Sequence, residues 1–138
     1  MAKKGSIVIV EDEAEDQDLL KELFEDLKIE NPLQFFNTVP PALDYLLTSF
    51  EKPFLVLSDI YLPTMSGFDF LKTVREHPKL KLKCIPFLFF TSANNKNIIE
   101  QAYQMNAQGF FVKPLTSEQL KCSMSAIINY WKVSAVPL

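Results

Sequence analysis

Ile7-Val8-Ile9-Val10-Glu11-Asp12 decides how the rest of the chain reads, because four aliphatic residues run without a polar interruption into two adjacent acids. A strand with one wet face alternates apolar and polar residues, whereas a strand covered on both faces is apolar throughout. The run therefore fits the interior of a parallel sheet with helices packed on either side. Counting Ser6 with it, this strand covers residues 6–10, and similar runs follow at 33–36, 54–58, 86–90 and 109–112. Several of them end in the same way, on a polar residue: Asp59 follows Leu57-Ser58, Thr91-Ser92 follows Phe89-Phe90, and Lys113-Pro114 follows Phe111-Val112.

Helical patterns fill the intervals. The first sets Leu20, Leu23, Phe24 and Leu27 at helical spacing, with Glu13, Glu15, Asp16, Asp18, Glu22, Glu25 and Asp26 around them. The second, after Pro40-Pro41, presents Ala42, Leu43, Leu46 and Leu47. A third carries Phe68, Leu71 and Val74 and stops before Pro78. The fourth shows Ile98, Ile99, Ala102 and Tyr103 behind Asn94 and Asn95, both suitable N-caps. Thr116-Ser117-Glu118-Gln119 has the pattern of a capping box and opens the fifth, which continues through Leu120, Met124, Ile127, Ile128 and Trp131. Regular alternation of strand and helix predicts an α/β domain with right-handed crossovers. We expect one domain over residues 1–138 with a short tail at 132–138, no internal repeat and no output domain.

Bulk properties narrow the function classes. A chain of 138 residues buries about two-thirds of its unfolded surface as one domain. With a net charge of −3 and no cluster of Lys and Arg, it lacks the footprint of a nucleic-acid binder. No apolar run is long enough to span a bilayer, and no secretory segment precedes the first strand, so a cytoplasmic location is expected. Cys84 and Cys122 lack metal-ligand spacing and read as free thiols. His77, beside Pro78, reads as a surface histidine.

In an open parallel sheet, ligands bind outside the carboxyl ends of the strands. Glu11, Asp12, Asp59, Thr91 and Lys113 would meet there. Gathered carboxylates repel unless a cation is present, and Mg2+ favours carboxylate, water and phosphate oxygens. Lys113 ends a strand that reads as buried and needs an anionic partner, for which Asp59 is the candidate. An aspartate can also attack phosphorus and carry the group as an acyl phosphate. Each residue has a plainer reading: an acidic pair suits a helix N-terminus, an aspartate caps a turn, and Thr is common in strands. Their coincidence favours the metal-and-phosphoryl reading. Pro114 keeps Lys113 out of helical geometry and permits a cis bond, while strand alternation puts Phe110 and Val112 on one face and Phe111 and Lys113 on the other.

These motifs, in this order and over essentially the whole chain, resemble the receiver domain of two-component response regulators, in the manner of the chemotaxis regulators. The resemblance implies a flavodoxin-like, doubly wound five-stranded parallel sheet in the order 2-1-3-4-5 with five flanking helices. It implies a stand-alone response regulator phosphorylated on Asp59 by a sensor histidine kinase or phosphotransfer protein, with Mg2+ as cofactor. Asp12, Asp59 and the Tyr61 backbone carbonyl would bind the metal, and Glu11 would hold a metal-bound water. Thr91 and Lys113 would contact the phosphoryl oxygens, and Thr91 with Phe110 would form the switch. The downstream partner would bind the surface of the fourth helix, fifth strand and fifth helix.

Departures from the family pattern sharpen these expectations. Phe110 stands where many relatives have Tyr, so switching would rest on ring packing, and Glu11 replaces the commoner Asp. Tyr61 is bulky two residues beyond Asp59, where it would shield an acyl phosphate from water. Asn129-Tyr130-Trp131 resembles the end of the compact regulators that partner bacteriophytochrome kinases, several of which are dimeric, so a homodimer through that same surface is an expectation. A scaffold that works without phosphorylation is the alternative. A haloacid-dehalogenase-type phosphatase would need a second Asp where Tyr61 stands, and a flavodoxin would need a Ser/Thr/Gly-rich phosphate loop where Glu11-Asp12 stand.

Overall fold

The computed structural model describes residues 2–135. A 3-10 turn, Ala2–Lys4, leads into β1 (Ile7–Val10), followed by α1 (Ala14–Asp26), β2 (Leu33–Phe36), α2 (Val39–Thr48) and β3 (Leu55–Ser58). Then come α3 (Gly67–Glu76), α4 (Pro78–Lys81), β4 (Phe87–Thr91), α5 (Lys96–Gln104), β5 (Gly109–Val112) and α6 (Ser117–Val133). The five strands form one parallel sheet in the order β2-β1-β3-β4-β5, as expected. β1, β3 and β4 are buried along their whole length, which is why their sequences do not alternate, whereas β2 and β5 lie at the edges and are only partly covered.

Two apolar cores flank the sheet. Val8, Val10, Val56, Phe87 and Phe89 face α2, α3, α4 and α5, while Ile7, Ile9, Leu55, Leu57, Leu88 and Phe90 face α1 and α6. The strand pleat sorts these residues by parity. Phe110 and Phe111 divide accordingly, the first packing on the former core and the second on the latter.

Among the described residues six α-helices, not five, surround the sheet. Pro78 ends the third predicted helix, yet a proline is well suited to the first turn of a new one. It begins the one-turn α4, whose Leu80 is buried. His77 is half-buried between the two helices, and its Nδ1 accepts the Lys79 amide at 3.1 Å, so it caps α4 rather than lying idle on the surface. The prolines at 40 and 41 sit inside the first turn of α2, not before it. Asn95 caps α5 by accepting the Ile98 amide, and Thr116 accepts the Gln119 amide, the forward half of the predicted box. A reciprocal box occurs at Ser66 and Asp69.

Small boundary differences have a common cause. Ser6, Phe54 and Pro86 lie just outside the strands, joined by single flanking bonds such as Phe54 N–H to Ser6 carbonyl, whereas Thr91 is part of β4. Lys132 and Val133 belong to α6, so the tail starts later than 132, and residues 136–138 lie outside the described part of the chain. No cis peptide bond occurs among the described residues, Lys113–Pro114 included.

Candidate functional site

Strand register brings the polar ends together. Val10 pairs with Ser58 and Ser58 with Phe89, while Thr91 pairs with Val112. The residues that follow these positions, Glu11, Asp59 and Lys113, therefore emerge at one edge of the sheet beside Thr91. Ladder bonds continue past the strand ends: the Asp59 amide donates to Val10 carbonyl at 3.0 Å and the Lys113 amide to Thr91 carbonyl at 2.8 Å.

Lys113 is the centre of the constellation. Its ammonium bonds Glu11 Oε1, Asp16 Oδ2 at 3.0 Å and Asp59 Oδ2 at 3.1 Å. Asp59 was the expected partner; Glu11 and Asp16 are additional. In the sequence Asp16 is one of the acids around the apolar stripe of the first helix, and its position four residues beyond Asp12 is the signal that it could reach the strand ends. Burial by itself would lower the Lys113 pKa. The hydrogen bonds to Glu11 and Asp16 and the charges of Asp59 and Glu11 outweigh that, so the group is held well above its ordinary value and stays charged.

Each acid has a different environment. Glu11 is almost wholly buried, with Oε1 on Lys113 and Oε2 accepting the Glu13 amide at 3.1 Å. Burial pushes its pKa up, against the pull of Lys113 and the Glu13 amide, and the neighbouring Asp59 charge adds to the rise. Asp59, also buried, takes the Ile60 amide on Oδ1 at 2.7 Å and Lys113 on Oδ2. Asp12 is exposed, and its carboxylate makes no hydrogen bond to another described residue. Three carboxylates thus contact one ammonium and a fourth, Asp12, clusters with two of them, an excess of negative charge that a cation would relieve.

A metal has a suitable donor set. One carboxylate oxygen each from Glu11, Asp12 and Asp59 lie within 4.8 Å of one another. An all-oxygen, acidic group of this kind fits a hard divalent cation that also keeps water or phosphate oxygens. Thr91 is buried, and its Oγ1 accepts the Ala93 amide at 3.3 Å, which leaves the hydroxyl proton free to donate elsewhere. Tyr61 is mostly exposed just beyond Asp59. Phe110 stands deeper on β5, its ring centroid 6.2 Å from that of Phe89, which lies two residues before Thr91. At the far end of α6, Trp131 packs partly into the core while Tyr130 is exposed.

Comparison with known proteins gives the family. Residues 7–125 match the family model of the response regulator receiver domain, and the chain belongs to that family. It is 28% identical over 129 residues to a probable methanogenesis regulatory protein, FilR2, of Methanothrix harundinacea, covering 91% of this chain and 82% of the relative. It is 26% identical over 132 residues to a probable chemotaxis protein CheY of Rhizobium etli, covering 96% and 98% of the two chains. A response regulator receiver domain from Rhodospirillum rubrum superposes with a TM-score of 0.81 at 26% identity, over 96% of each chain. The chain is therefore a signalling receiver of the two-component class. No helix among the described residues is long and apolar enough to cross a membrane.

Proposed function

We propose that the chain receives a phosphoryl group on Asp59 from a phosphohistidine of a sensor kinase or phosphotransfer protein and signals by protein–protein contact. The observation that supports this most is the Lys113 ammonium, held against Asp59 and Glu11 with Asp12 open beside them. A carboxylate oxygen of Asp59 attacks phosphorus, the P–O bond forms as the P–N bond breaks, and the electron pair returns to the imidazole nitrogen, which takes a proton from solvent. The product is an aspartyl phosphate.

Phosphoryl transfer depends mainly on positioning and on neutralising charge on the phosphoryl oxygens. Lys113 supplies a cation, and the Thr91 hydroxyl donates a hydrogen bond. Asp12 and Asp59, with the Tyr61 carbonyl as a further oxygen, are the proposed ligands for Mg2+, and Glu11 would hold one of its waters. When bound, Mg2+ offsets negative charge shared between the acids and the incoming group. The Ile60 amide keeps the Asp59 carboxylate aimed while this happens. Attraction of Thr91 toward the phosphoryl group would disturb Phe89 and Phe110 on the same face of the sheet, and so alter the surface of α5, β5 and α6 that we propose as the output and dimer face.

The test is incubation with acetyl phosphate and Mg2+, read by intact mass. Wild type should gain one phosphoryl group and Asp59→Asn none. Equal modification of both would overturn the assignment of Asp59. No modification of wild type by acetyl phosphate or by a cognate kinase would favour a phosphorylation-independent scaffold.

A further inference from the structure

We propose that Asp16 is a positioning residue for this reaction: its carboxylate, reaching across from α1, holds the Lys113 ammonium in place while Asp59 is being phosphorylated. The inference rests on the reading of Asp59 given above and adds a residue and a role to it.

An ammonium has three N–H donors, and in this structure three carboxylates take them: Glu11, Asp16 and Asp59. The three acceptors do not share one fate. Once a carboxylate oxygen of Asp59 becomes the bridging oxygen of an acyl phosphate, that group loses its charge and much of its strength as an acceptor. The donor it held is released to a phosphoryl oxygen. Glu11 and Asp16 remain unmodified anions, so together they fix Nζ at two points through the step. With Glu11 alone, the flexible four-carbon stem would let the ammonium swing about a single contact.

Local structure makes Asp16 a firm anchor. It is the third residue of α1, and the neighbouring Gln17 ties that turn to the site. Gln17 Nε2 donates to the Glu11 carbonyl at 2.5 Å and to Asn37 Oδ1 at 2.6 Å. Asp16 is 97 residues from Lys113 in sequence, and among the described residues no other hydrogen bond or ion pair joins α1 to the Lys113 ammonium. The plainer account is that Asp16 only complements the positive end of the helix. That account gives no reason for its oxygen to lie 3.0 Å from Nζ, and the two accounts differ in what substitutions do.

The side chain of Asp16 is about one-third exposed, so its variants should fold. At saturating Mg2+ and acetyl phosphate, Asp16→Ala should lower the maximal rate of Asp59 phosphorylation about fivefold, the scale of one partly exposed charge-assisted hydrogen bond. The acetyl phosphate concentration at half-maximal rate should stay within about twofold, because the contact is not to the donor. Asp16→Asn keeps an acceptor oxygen and should recover most of the rate. A second readout needs no phosphate: the NMR order parameter of the Lys113 Cε methylene should fall in Asp16→Ala and hold in Asp16→Asn. Unchanged rate and unchanged Lys113 order in Asp16→Ala would overturn the proposal, as would equal losses in Ala and Asn, which would point to helix charge alone. Wild type that takes no phosphate would instead sink the reading of Asp59, while the NMR arm would still decide whether Asp16 positions Lys113.

Discussion

Gly67 lies so close to Asp59 that a Cβ built on it would stand 2.2 Å from the Asp59 carbonyl oxygen and 2.9 Å from the Ile60 Cα. The Gly67 amide also donates to the Ile60 carbonyl at 2.7 Å. The chain leaving β3 thus turns back onto the first residue of α3, and the Ser66–Asp69 capping box fixes that helix start. The positive-φ residues do not include Gly67, so space rather than backbone conformation requires glycine here.

Gly67→Ala should therefore destabilise the fold by about 1–3 kcal/mol, the usual cost of overpacking against atoms that cannot move aside. The obstacle is backbone, so relief would displace Asp59 itself. Urea denaturation should show the lower midpoint, and Mg2+ titration of the folded variant should show weaker binding. A variant as stable as wild type, with the same Mg2+ affinity, would refute this account of the turn.

Lys113→Met removes the counter-charge of a nearly buried group of acids and should cost about 2–4 kcal/mol at neutral pH, as when one partner of a buried ion pair is deleted. The pH dependence has a definite sign. Lys113 has its ordinary value of 10.5 when unfolded and a higher one when folded. Its stabilisation is then fully present below pH 10.5 and is lost as pH rises through the folded value. The stability difference between wild type and Lys113→Met should be flat on the Lys113 account from neutral pH to about 10 and shrink above it. Guanidinium melts across that range would reveal a difference that shrinks earlier, which would assign the effect to another group.

The sheet was legible because burial on both faces leaves a mark in each strand, as in Ile7 to Val10 and Phe87 to Phe90. The converging polar residues were legible where a polar side chain interrupts such a run, which covers Glu11, Asp59, Thr91 and Lys113. Asp16 was not, because an acid on an amphipathic helix looks the same whether it meets water or a lysine 97 positions away. The turn at Gly67 was hidden for a related reason: its cause is the approach of another segment, which no local pattern records. α4 was missed because Pro78 serves equally well as a stop signal and as a helix's first residue.

Asp12→Asn should separate metal binding from folding. Asp12 is exposed and makes no side-chain bond to another described residue, so the variant should be as stable as wild type without metal, or slightly more so through relief of repulsion. Wild type should gain stability with Mg2+ in proportion to RT ln(1 + [L]/Kd), about 2.7 kcal/mol at a hundredfold excess over Kd. Thermal melts in a Mg2+ series should show that gain in wild type and little of it in Asp12→Asn. Equal gains in both would remove Asp12 from the metal site.

Tyr61 stands at the mouth of the site, and its bulk bears on how long a phosphoryl group would last on Asp59. Its ring is mostly exposed yet only two residues beyond Asp59, so it can shade the mouth of the site without contributing much to the core. An acyl phosphate is lost when water reaches phosphorus in line with the bond to Asp59. A bulky ring over that approach lowers the frequency of attack without changing the charges that stabilise the group. Tyr61→Ala should therefore leave the melting temperature and the phosphorylation rate near wild type while shortening the phosphate half-life roughly threefold to tenfold, a modest barrier change of about 1 kcal/mol. Tyr61→Phe keeps the ring and should keep the lifetime, since shielding needs bulk and not the hydroxyl. Following loss of the phosphoryl group by intact mass after removal of the donor decides the matter, and an unchanged half-life in Tyr61→Ala would sink the shielding role.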